Sequence, residues 1–283
     1  MREGRVLAAE VEVAARLSAA VRIGLEAGAL ALRHFEAGVM AEEKADGTPV
    51  TVADRGAEEM IRAAVGREFS ADGMLGEEFG ETAGRSGYRW VVDPIDGTKS
   101  FVRGVPLWGT LVGIERMRGE SEPEPVAGVM VFPGLGEHAY AGLGGGAWHV
   151  RRGGEAVRAR ASGCVELSEA AVCVTSPQGF ARRGAWAAYE RLVRRSRLAR
   201  GWSDCYAYLL VALGRIEAAV DPAMRPWDAA AIAPILKEAG AVYVDWHGRE
   251  TIHGRDGIGA ARGVVAEVVE VVRGGEERGA GGA

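Results

Sequence analysis

The chain has 283 residues, of which 48% are hydrophobic and 26% are charged, and its formal net charge is -5. These values are typical of a globular protein and exclude a fibrous or wholly disordered chain. The negative net charge gives no overall basic field that would attract nucleic acid or an anionic membrane, so we expect neither as a partner.

The cysteines and the N-terminus indicate the compartment. Cys164, Cys173 and Cys205 are an odd number without paired metal-ligand spacing, which favours free thiols and a reducing environment. Arg2 and Glu3 interrupt the apolar pattern of the N-terminus, unlike a signal peptide, and no run reaches the roughly 18 apolar residues of a membrane span. We therefore expect a cytoplasmic protein.

The first predicted elements are helices. Apolar residues recur at helical spacing over residues 6–35, which predicts one long helix or two. They do so again over residues 51–69, with Asp54 in the first turn. Glycine and proline in the polar segment 44–49 separate the two stretches.

Strands are predicted in the middle of the chain. The apolar run 90–92, followed by Asp93 and Pro94, predicts a buried strand that ends at Asp93. Beyond it, apolar stretches alternate with glycine, proline and acidic turns, which is typical of an antiparallel meander. Its predicted strands cover residues 107–115, 126–132, 138–141 and 147–150.

The last third mixes both kinds of element. Strands are predicted at 171–175 and 242–245, helices at 186–195, 206–213 and 229–239, and a final amphipathic element at 264–272. The glycine-rich tail 274–283 predicts disorder. Helices that flank two strand-rich regions favour an α/β layered sandwich over a barrel or bundle. We predict one domain over residues 1–273, with two packed halves that meet near residues 150–170.

Three acidic sites suggest chemistry. They are the segments Gly76-Glu77-Glu78, Asp93-Pro94-Ile95-Asp96-Gly97-Thr98 and Trp227-Asp228. Taken singly, they are typical of a solvated loop, a turn before proline and a helix N-cap. Together they favour a metal site, because Asp93 and Asp96 flank a tight turn at a strand's end and can point into one concave site. Such oxygen ligands suit Mg²⁺, and the sequence has no His/Cys cluster for zinc or copper.

A phosphate would fit beside these carboxylates. If a short helix begins near Thr98, the backbone N–H groups of Gly97 and Thr98 can receive a phosphate group.

The segment 90–101, WVVDPIDGTKSF, resembles the signature of the inositol monophosphatase family. The family's Gly-Glu-Glu element precedes it and the Trp-Asp element follows it, in the family's order, and the segment 44–54 resembles the family's N-terminal motif. The resemblance implies a layered αβαβα sandwich, a homodimer, and hydrolysis of a small-molecule phosphate monoester.

The resemblance also implies a metal set of two or three Mg²⁺ ions per site. Glu77, Asp93 and the carbonyl of Ile95 would bind one ion, while Asp93, Asp96 and Asp228 would bind a second. Two such ions can clamp the phosphate and lower the pKa of a bound water.

The same resemblance implies a group of catalytic residues. Asp54 and Thr98 match the pair that orients and helps to deprotonate the attacking water, and Glu77 is included as a catalytic metal ligand. A direct, in-line hydrolysis would follow, without a covalent phosphoenzyme.

The substrate is less constrained than the reaction. Residues 96–101, 175–177 and 203–208 resemble the histidinol-phosphatase branch of the family. Asp204 falls where inositol monophosphatases carry a small uncharged residue, and a carboxylate there would attract an amine and repel a further phosphate. Asp221 matches the family's substrate-contacting acid.

Three alternatives stay open at this point. Asp204 could simply cap the helix that follows it. The protein could be an inositol monophosphatase or a broad sugar or nucleotide phosphatase, for which the metal site would be identical. A noncatalytic member that binds phosphate or a partner protein would be expected to have lost a metal ligand or the water-orienting pair, and this sequence keeps them.

Overall fold

The computed structural model describes residues 2–38, 42–43, 49–119 and 121–274. Residues 44–48 of the N-terminal motif and residues 275–283 of the tail predicted to be disordered lie outside these ranges. Among the helices within them, none combines the length and the apolar surface that crossing a bilayer requires.

The helices differ widely in length. They are α1 (Arg2–Ala37), α2 (Val52–Glu68), α3 (Thr98–Phe101), α4 (Pro177–Arg182), α5 (Trp186–Arg195), α6 (Asp204–Ala212), α7 (Pro226–Ala229), α8 (Ile232–Glu238) and α9 (Val265–Arg273). Short 3₁₀ turns cover residues 133–135 and 167–169. The first predicted helix is therefore a single long element.

The strands are mostly short. They are β1 (Glu42–Glu43), β2 (Pro49–Val50), β3 (Gly73–Gly76), β4 (Gly80–Thr82), β5 (Tyr88–Asp96), β6 (Gly109–Arg118), β7 (Ser121–Phe132), β8 (Glu137–Gly142), β9 (Gly146–Arg151), β10 (Val157–Arg158), β11 (Ala171–Val174), β12 (Leu198–Arg200), β13 (Ala218–Asp221), β14 (Ala241–Val244) and β15 (Gly257–Ala261). The last residues of β5 and the residue after β3 belong to the acidic segments.

Two large sheets organise these strands. The first has the order β10-β9-β8-β7-β6-β5-β3-β4, and only the β3–β5 pair in it is parallel. Its β6 to β9 portion confirms the predicted antiparallel meander. The second has the order β12-β11-β13-β15-β14, in which β11 is parallel to both its neighbours and β15 is antiparallel to both of its own.

Three buried apolar clusters define five layers. One joins α1 and α2 to the first sheet, a second joins both sheets to α6, α7 and α8 between them, and a third joins the second sheet to α4, α5 and α9. The predicted αβαβα sandwich is therefore confirmed. Each sheet has both faces covered, so most of its surface is removed from water.

The strand that carries the central acids shows this two-sided burial. In β5, Trp90 and Val92 pack toward α1 and α2, whereas Val91 between them packs toward the middle helix layer. Side chains alternate between faces with a period of two, so an unbroken apolar run is what such a strand requires. The run therefore anchors Asp93 at a fixed depth between the layers.

Two of the predicted boundaries that differ from the structure bear on the acidic segments. The range 229–239, predicted as one helix, contains only the last residue of α7 and the whole of α8, with a turn between them. A continuous helix would need Pro234 to donate a hydrogen bond to the Ala230 carbonyl, which proline lacks the N–H to do, and its ring would clash there. The strand predicted to end at Asp93 continues to Asp96.

Glycines let the α7–α8 connection approach the first sheet closely. A Cβ added to Gly113 would lie 2.6 Å from Ala230 Cβ, and one added to Gly128 would lie 2.1 Å from the Ala231 carbonyl oxygen. Real side chains do not tolerate such distances, so both positions need glycine for contact with this segment. The contact sets the position of α7 and of Asp228 within it.

We expect Gly128→Ala to destabilise the protein by about 1–3 kcal/mol, because the added methyl group meets backbone that must shift. Since that backbone carries α7 and Asp228, any reaction that depends on the predicted metal site should also slow. Urea unfolding and initial rates would measure the two effects.

Gly66→Ala is the matched control for this prediction. Gly66 lies within α2 and a Cβ there meets no atom within 4 Å. This variant should be as stable as the wild type or more stable by up to about 1 kcal/mol, because alanine favours the helix. Equal stability of Gly128→Ala and Gly66→Ala would contradict the close-packing argument.

Candidate active site

A β-bulge brings Asp93 and Asp96 to the same side of the first sheet. In a regular strand, residues three apart point to opposite faces. The pairing of β5 with β6 shifts register between Asp93 and Asp96, so that two residues of β5 lie opposite one of β6. The extra residue reverses the alternation. Pro94 lies within the bulge, where it has no N–H to leave unpaired, and its carbonyl accepts a hydrogen bond from Thr110 Oγ1 (2.8 Å).

The third carboxylate comes from the middle helix layer. Asp228 lies in the first turn of α7, and its Oδ2 accepts a hydrogen bond from the backbone N–H of Arg225 (2.7 Å). One oxygen from each of Asp93, Asp96 and Asp228 lies within 4.8 Å of the other two. Carboxylate oxygens this close can share a divalent cation.

Burial and like charge oppose ionisation of this cluster. Burial, followed by the carboxylates of Glu77, Asp96, Asp228 and Asp54, raises the pKa of Asp93 well above its ordinary value. Burial is also the largest cause that raises the pKa of Asp228 to about 7. A bound cation would offset both effects, and the oxygen-only donor set fits Mg²⁺ rather than a softer metal.

Glu77 is placed beside the cluster by the parallel β3–β5 pair. It follows β3 directly, and its N–H donates to the carbonyl of Val92 (3.2 Å). Glu58 from α2 supports the same loop, because its Oε2 accepts the N–H of Glu78 (2.8 Å) and its Oε1 accepts Nε of Arg62 (2.8 Å). Glu58 is fully buried. No local sequence pattern indicates this role, since it depends on how α2 packs.

Asp54 is fixed by the residue that starts its helix. Thr51 is the N-cap of α2, and its N–H and Oγ1 donate to Asp54 Oδ2 at 2.8 and 2.6 Å. This Thr-x-x-Asp spacing is a capping box, so the sequence contained a signal for it. Burial raises the pKa of Asp54, against the hydrogen bonds from Thr51. A carboxyl whose pKa is raised is a stronger proton acceptor than an ordinary carboxylate.

Gly97 and Thr98 begin a short helix, as predicted. Gly97 has a φ of 85°, which favours glycine, and α3 starts at Thr98. Thr98 Oγ1 donates to the carbonyl of Ile95 (3.1 Å). Because that bond uses the only hydroxyl proton, the Thr98 oxygen can accept a hydrogen bond from a water molecule.

Asp204 adjoins the cluster from the second half of the chain. A cavity of about 50 Å³ is lined by Asp96, Asp204, Cys205, Tyr208, Asp221, Ala223, Met224, Asp228 and Ile232. Asp204 Oδ2 would lie 3.0 Å from a Cβ on Gly97, so this glycine leaves room for the carboxylate. Burial raises the pKa of Asp204. The predicted substrate-pocket acid therefore lies next to the predicted metal ligands.

Asp204 does not serve as the helix cap that the sequence left open. It is the first residue of α6, and the N-cap is Ser203. The N–H of Cys205 in the first turn instead donates to Asp96 Oδ2 from β5 (2.6 Å). Asp96 thus satisfies a backbone donor of α6 from the other half of the chain.

Asp221 also lines this cavity. It ends β13, and its Oδ2 accepts hydrogen bonds from the hydroxyls of Thr175 and of Tyr208, the latter at 3.3 Å. Burial raises the pKa of Asp221 to about 7, although the hydrogen bond from Thr175 opposes it. Thr175 and Tyr208 lie in segments that resemble the histidinol-phosphatase branch, but no local pattern predicts these contacts with Asp221.

An open cleft of about 700 Å³ leads from Asp204 to solvent. Cationic side chains contribute to its lining, namely Lys99, Arg103 and Arg182. Positive charge beside an acidic cavity favours the approach of an anion that must reach the carboxylates. The predicted site residues all lie along this path or beside the cluster, and they are Asp54, Glu77, Asp93, Ile95, Asp96, Gly97, Thr98, Asp204, Asp221 and Asp228.

Comparison with known proteins gives consistent results. The model of the inositol monophosphatase family matches residues 12–273. A histidinol-phosphatase of Chlorobaculum parvum is 39% identical over 263 residues, which cover 93% of this chain and 98% of that protein. An inositol-1-monophosphatase of Mesorhizobium japonicum is 31% identical, with 83% and 86% covered. The solved structure of a Thermotoga maritima IMPase is 30% identical, with a TM-score of 0.80 and 93% and 98% covered.

A five-layer αβαβα sandwich with carboxylates gathered between its sheets thus has close counterparts in sequence and in structure. The chain belongs to the inositol monophosphatase family. It is a phosphatase of that family, a phosphoric monoester hydrolase.

Asp221 should make the stability of the metal-free protein fall as pH rises. Its folded-state pKa of about 7 exceeds the ordinary 3.8, so the folded protein keeps a proton that the unfolded chain releases between these values. The free energy of unfolding therefore decreases from about pH 4 to about pH 7. Asp221→Asn, which cannot ionise, should show a smaller decrease when urea unfolding is measured in EDTA at several pH values.

Asp72→Asn provides the control. Burial raises the pKa of Asp72, but the hydrogen bonds from Arg16 outweigh burial and leave that pKa below its ordinary value. The contribution of Asp72 to the free energy of unfolding therefore changes only at more acidic pH. This variant should lose stability without altering the slope between about pH 4.5 and 7.5. A slope in Asp221→Asn equal to that of the wild type would contradict the assignment.

Proposed function

We propose that this phosphatase hydrolyses histidinol phosphate to histidinol and phosphate, with two or three Mg²⁺ ions in each site. The observation that carries the proposal is the position of Asp204, a carboxylate that lies against Gly97 beside the buried metal-type cluster. The Asp204 carboxylate fits a cationic leaving group, and the acidic cluster fits metal-dependent hydrolysis of a phosphate ester.

The metal ligands in this proposal come from both halves of the chain. Glu77, Asp93 and the Ile95 carbonyl would hold one ion, and Asp93, Asp96 and Asp228 would hold another. When bound, the ions supply Lewis-acid activation of the phosphate and of a water. The raised pKa of Asp93, whose causes are burial and neighbouring carboxylates, supports the binding of a cation by this cluster.

Asp54 and Thr98 act on the water in this proposal. Both hydrogen bonds from Thr51 end on Oδ2 of Asp54 and fix the orientation of the carboxyl group. Thr98 donates its hydroxyl proton in a hydrogen bond to the Ile95 carbonyl, so its oxygen can accept a hydrogen bond from the water. The two residues thus orient the water and take up its proton, while N–H groups at Gly97 and Thr98 receive the phosphate.

The leaving group would lie toward Asp204 and Asp221. Histidinol phosphate carries an ammonium group and an imidazole, and both can pair with a carboxylate. The proposal is also supported by the relative from Chlorobaculum parvum, which is named histidinol-phosphatase.

A second candidate is inositol-1-monophosphatase activity or a broader sugar or nucleotide phosphatase activity. It is supported by the Mesorhizobium japonicum relative, named inositol-1-monophosphatase. The metal site would serve either substrate equally, so the pocket must decide. A noncatalytic phosphate-binding role is disfavoured, because the full acidic set is present.

Two further expectations belong to the proposal. From the family resemblance we propose a homodimer, which analytical ultracentrifugation would test. We also propose a cytoplasmic location, which is supported by the absence of disulfides: Cys164, Cys173 and Cys205 are free thiols.

Asp93→Asn should lower kcat by at least about 100-fold, because it removes the charge shared by both proposed ions while nearly keeping the shape of the side chain. The measurement is phosphate release with and without Mg²⁺. Circular dichroism would establish that the variant is folded. Near-normal, Mg²⁺-dependent turnover in the folded variant would rule out the two-metal assignment.

Asp204→Ala should impair histidinol phosphate selectively. Loss of a charge-assisted contact to the ammonium should cost about 1.5–3 kcal/mol, or roughly 10- to 150-fold in kcat/KM. Hydrolysis of inositol 1-phosphate, a neutral polyol ester, should hardly change. Both substrates would be measured at fixed Mg²⁺ near pH 7.5.

Two outcomes of this experiment would count against the proposal. Equal losses on both substrates would make Asp204 a structural residue. A wild type that already prefers inositol 1-phosphate would replace the first candidate with the second.

A further inference from the structure

Two of the segments that resemble the histidinol-phosphatase branch, 96–101 and 203–208, meet at one point. Ser100, in α3, lies with its Oγ 2.8 Å from Oγ of Ser203. Ser203 Oγ in turn donates to Oδ2 of Asp204 at 3.1 Å. The helix that begins at Thr98 is thus joined to the substrate-pocket acid by two hydroxyl groups.

The direction of this chain of hydrogen bonds follows from proton counting. Each serine hydroxyl has one proton to donate, and an ionised carboxylate can only accept. Ser203 therefore donates its hydroxyl hydrogen bond to Asp204, and Ser100 donates its own to the Ser203 oxygen. The two serines act in series, with Asp204 as the final acceptor.

The backbone of Ser203 is unusual for its position. Its φ of 62° and ψ of 176° lie in a region that favours glycine. Serine at an N-cap normally bonds the first-turn N–H groups of its helix. Here it forms no such bond, and the N–H of Cys205 is satisfied by Asp96 instead. The Ser203 hydroxyl is thereby released to bond Asp204.

Lys99 adds a charge to the same group. Burial raises the pKa of Asp204, and the Lys99 ammonium opposes that shift in part. Lys99, Ser100, Ser203 and Asp204 also line the cleft that opens to solvent. These residues therefore form one continuous wall beside the site where the leaving group would lie.

We propose that Ser100 and Ser203 are positioning residues for substrate choice: they orient the Asp204 carboxylate toward a cationic leaving group. This inference rests on the proposed function, because it assigns the Asp204 carboxylate to the substrate. It adds that the α3 segment, which begins with the proposed phosphate-binding residues, also determines the geometry of the specificity pocket.

The test compares Ser203→Gly, Ser100→Ala and the double variant. Glycine accepts the backbone conformation of Ser203, so Ser203→Gly removes the hydroxyl without adding strain. Each single variant should lower kcat/KM for histidinol phosphate by about 3- to 10-fold, as loss of one hydrogen bond does. The change should fall mainly on KM, because the contact binds the leaving group before and during reaction. For inositol 1-phosphate, kcat/KM should change less than about 2-fold.

Three comparisons separate positioning from a structural role. Ser100→Thr keeps the hydroxyl and should restore wild-type selectivity. The double variant should be no worse than Ser203→Gly, because Ser100 acts only through Ser203. Ser196→Ala is the control, since Ser196 has a buried hydroxyl without a hydrogen-bond partner in the described chain and lies at the end of α5.

Equal losses on both substrates, or additive losses in the double variant, would overturn the inference. The Asp204→Ala variant distinguishes a failure of this inference from a failure of the proposed function. If Asp204→Ala is selective and the serine variants are not, only the positioning role is wrong. If Asp204→Ala is not selective, the proposed function itself fails.

Discussion

Asp93, Asp96 and Asp228 lie with oxygens within 4.8 Å of one another in a region where burial and mutual repulsion oppose their ionisation. Folding must bring these groups together against that opposition. The surrounding structure accomplishes this with local devices. A bulge turns two acids of one strand to one side, and two glycines let a helix approach the sheet. The site therefore gathers mutually repelling charges that a bound cation would offset.

The same devices connect chemistry to substrate choice. Asp96 belongs to the acidic cluster and also satisfies a backbone donor of α6, the helix that begins with Asp204. If the proposed function holds, a change at Asp96 would therefore reach the leaving-group side of the site through a single hydrogen bond. Metal binding and substrate choice would then share residues instead of occupying separate regions.

The sequence predicted the long helices, the meander and the acidic segments, because each has a strong local pattern. It did not predict β13 or β15, whose residues are mainly alanine and glycine, or β3, a four-residue strand with glycine at both ends. In β15 the reason is tertiary: a Cβ on Gly259 would lie 2.6 Å from the ring of Tyr208, so glycine is required by packing. The roles of Glu58, Ser100 and Ser203 could not be predicted for the same reason, because they depend on contacts between elements that are distant in sequence.

The division of the acids between the two halves of the chain has a practical consequence. Glu77, Asp93 and Asp96 precede the connection between β10 and β11, whereas Asp204, Asp221 and Asp228 follow it. Residues 160–166 in that connection are at least partly exposed to solvent. A protein cut there would yield two fragments, each without a complete set of ligands. Recovery of enzyme activity would then measure reassembly of the two fragments. A divalent cation bound by carboxylates of both fragments would favour that reassembly.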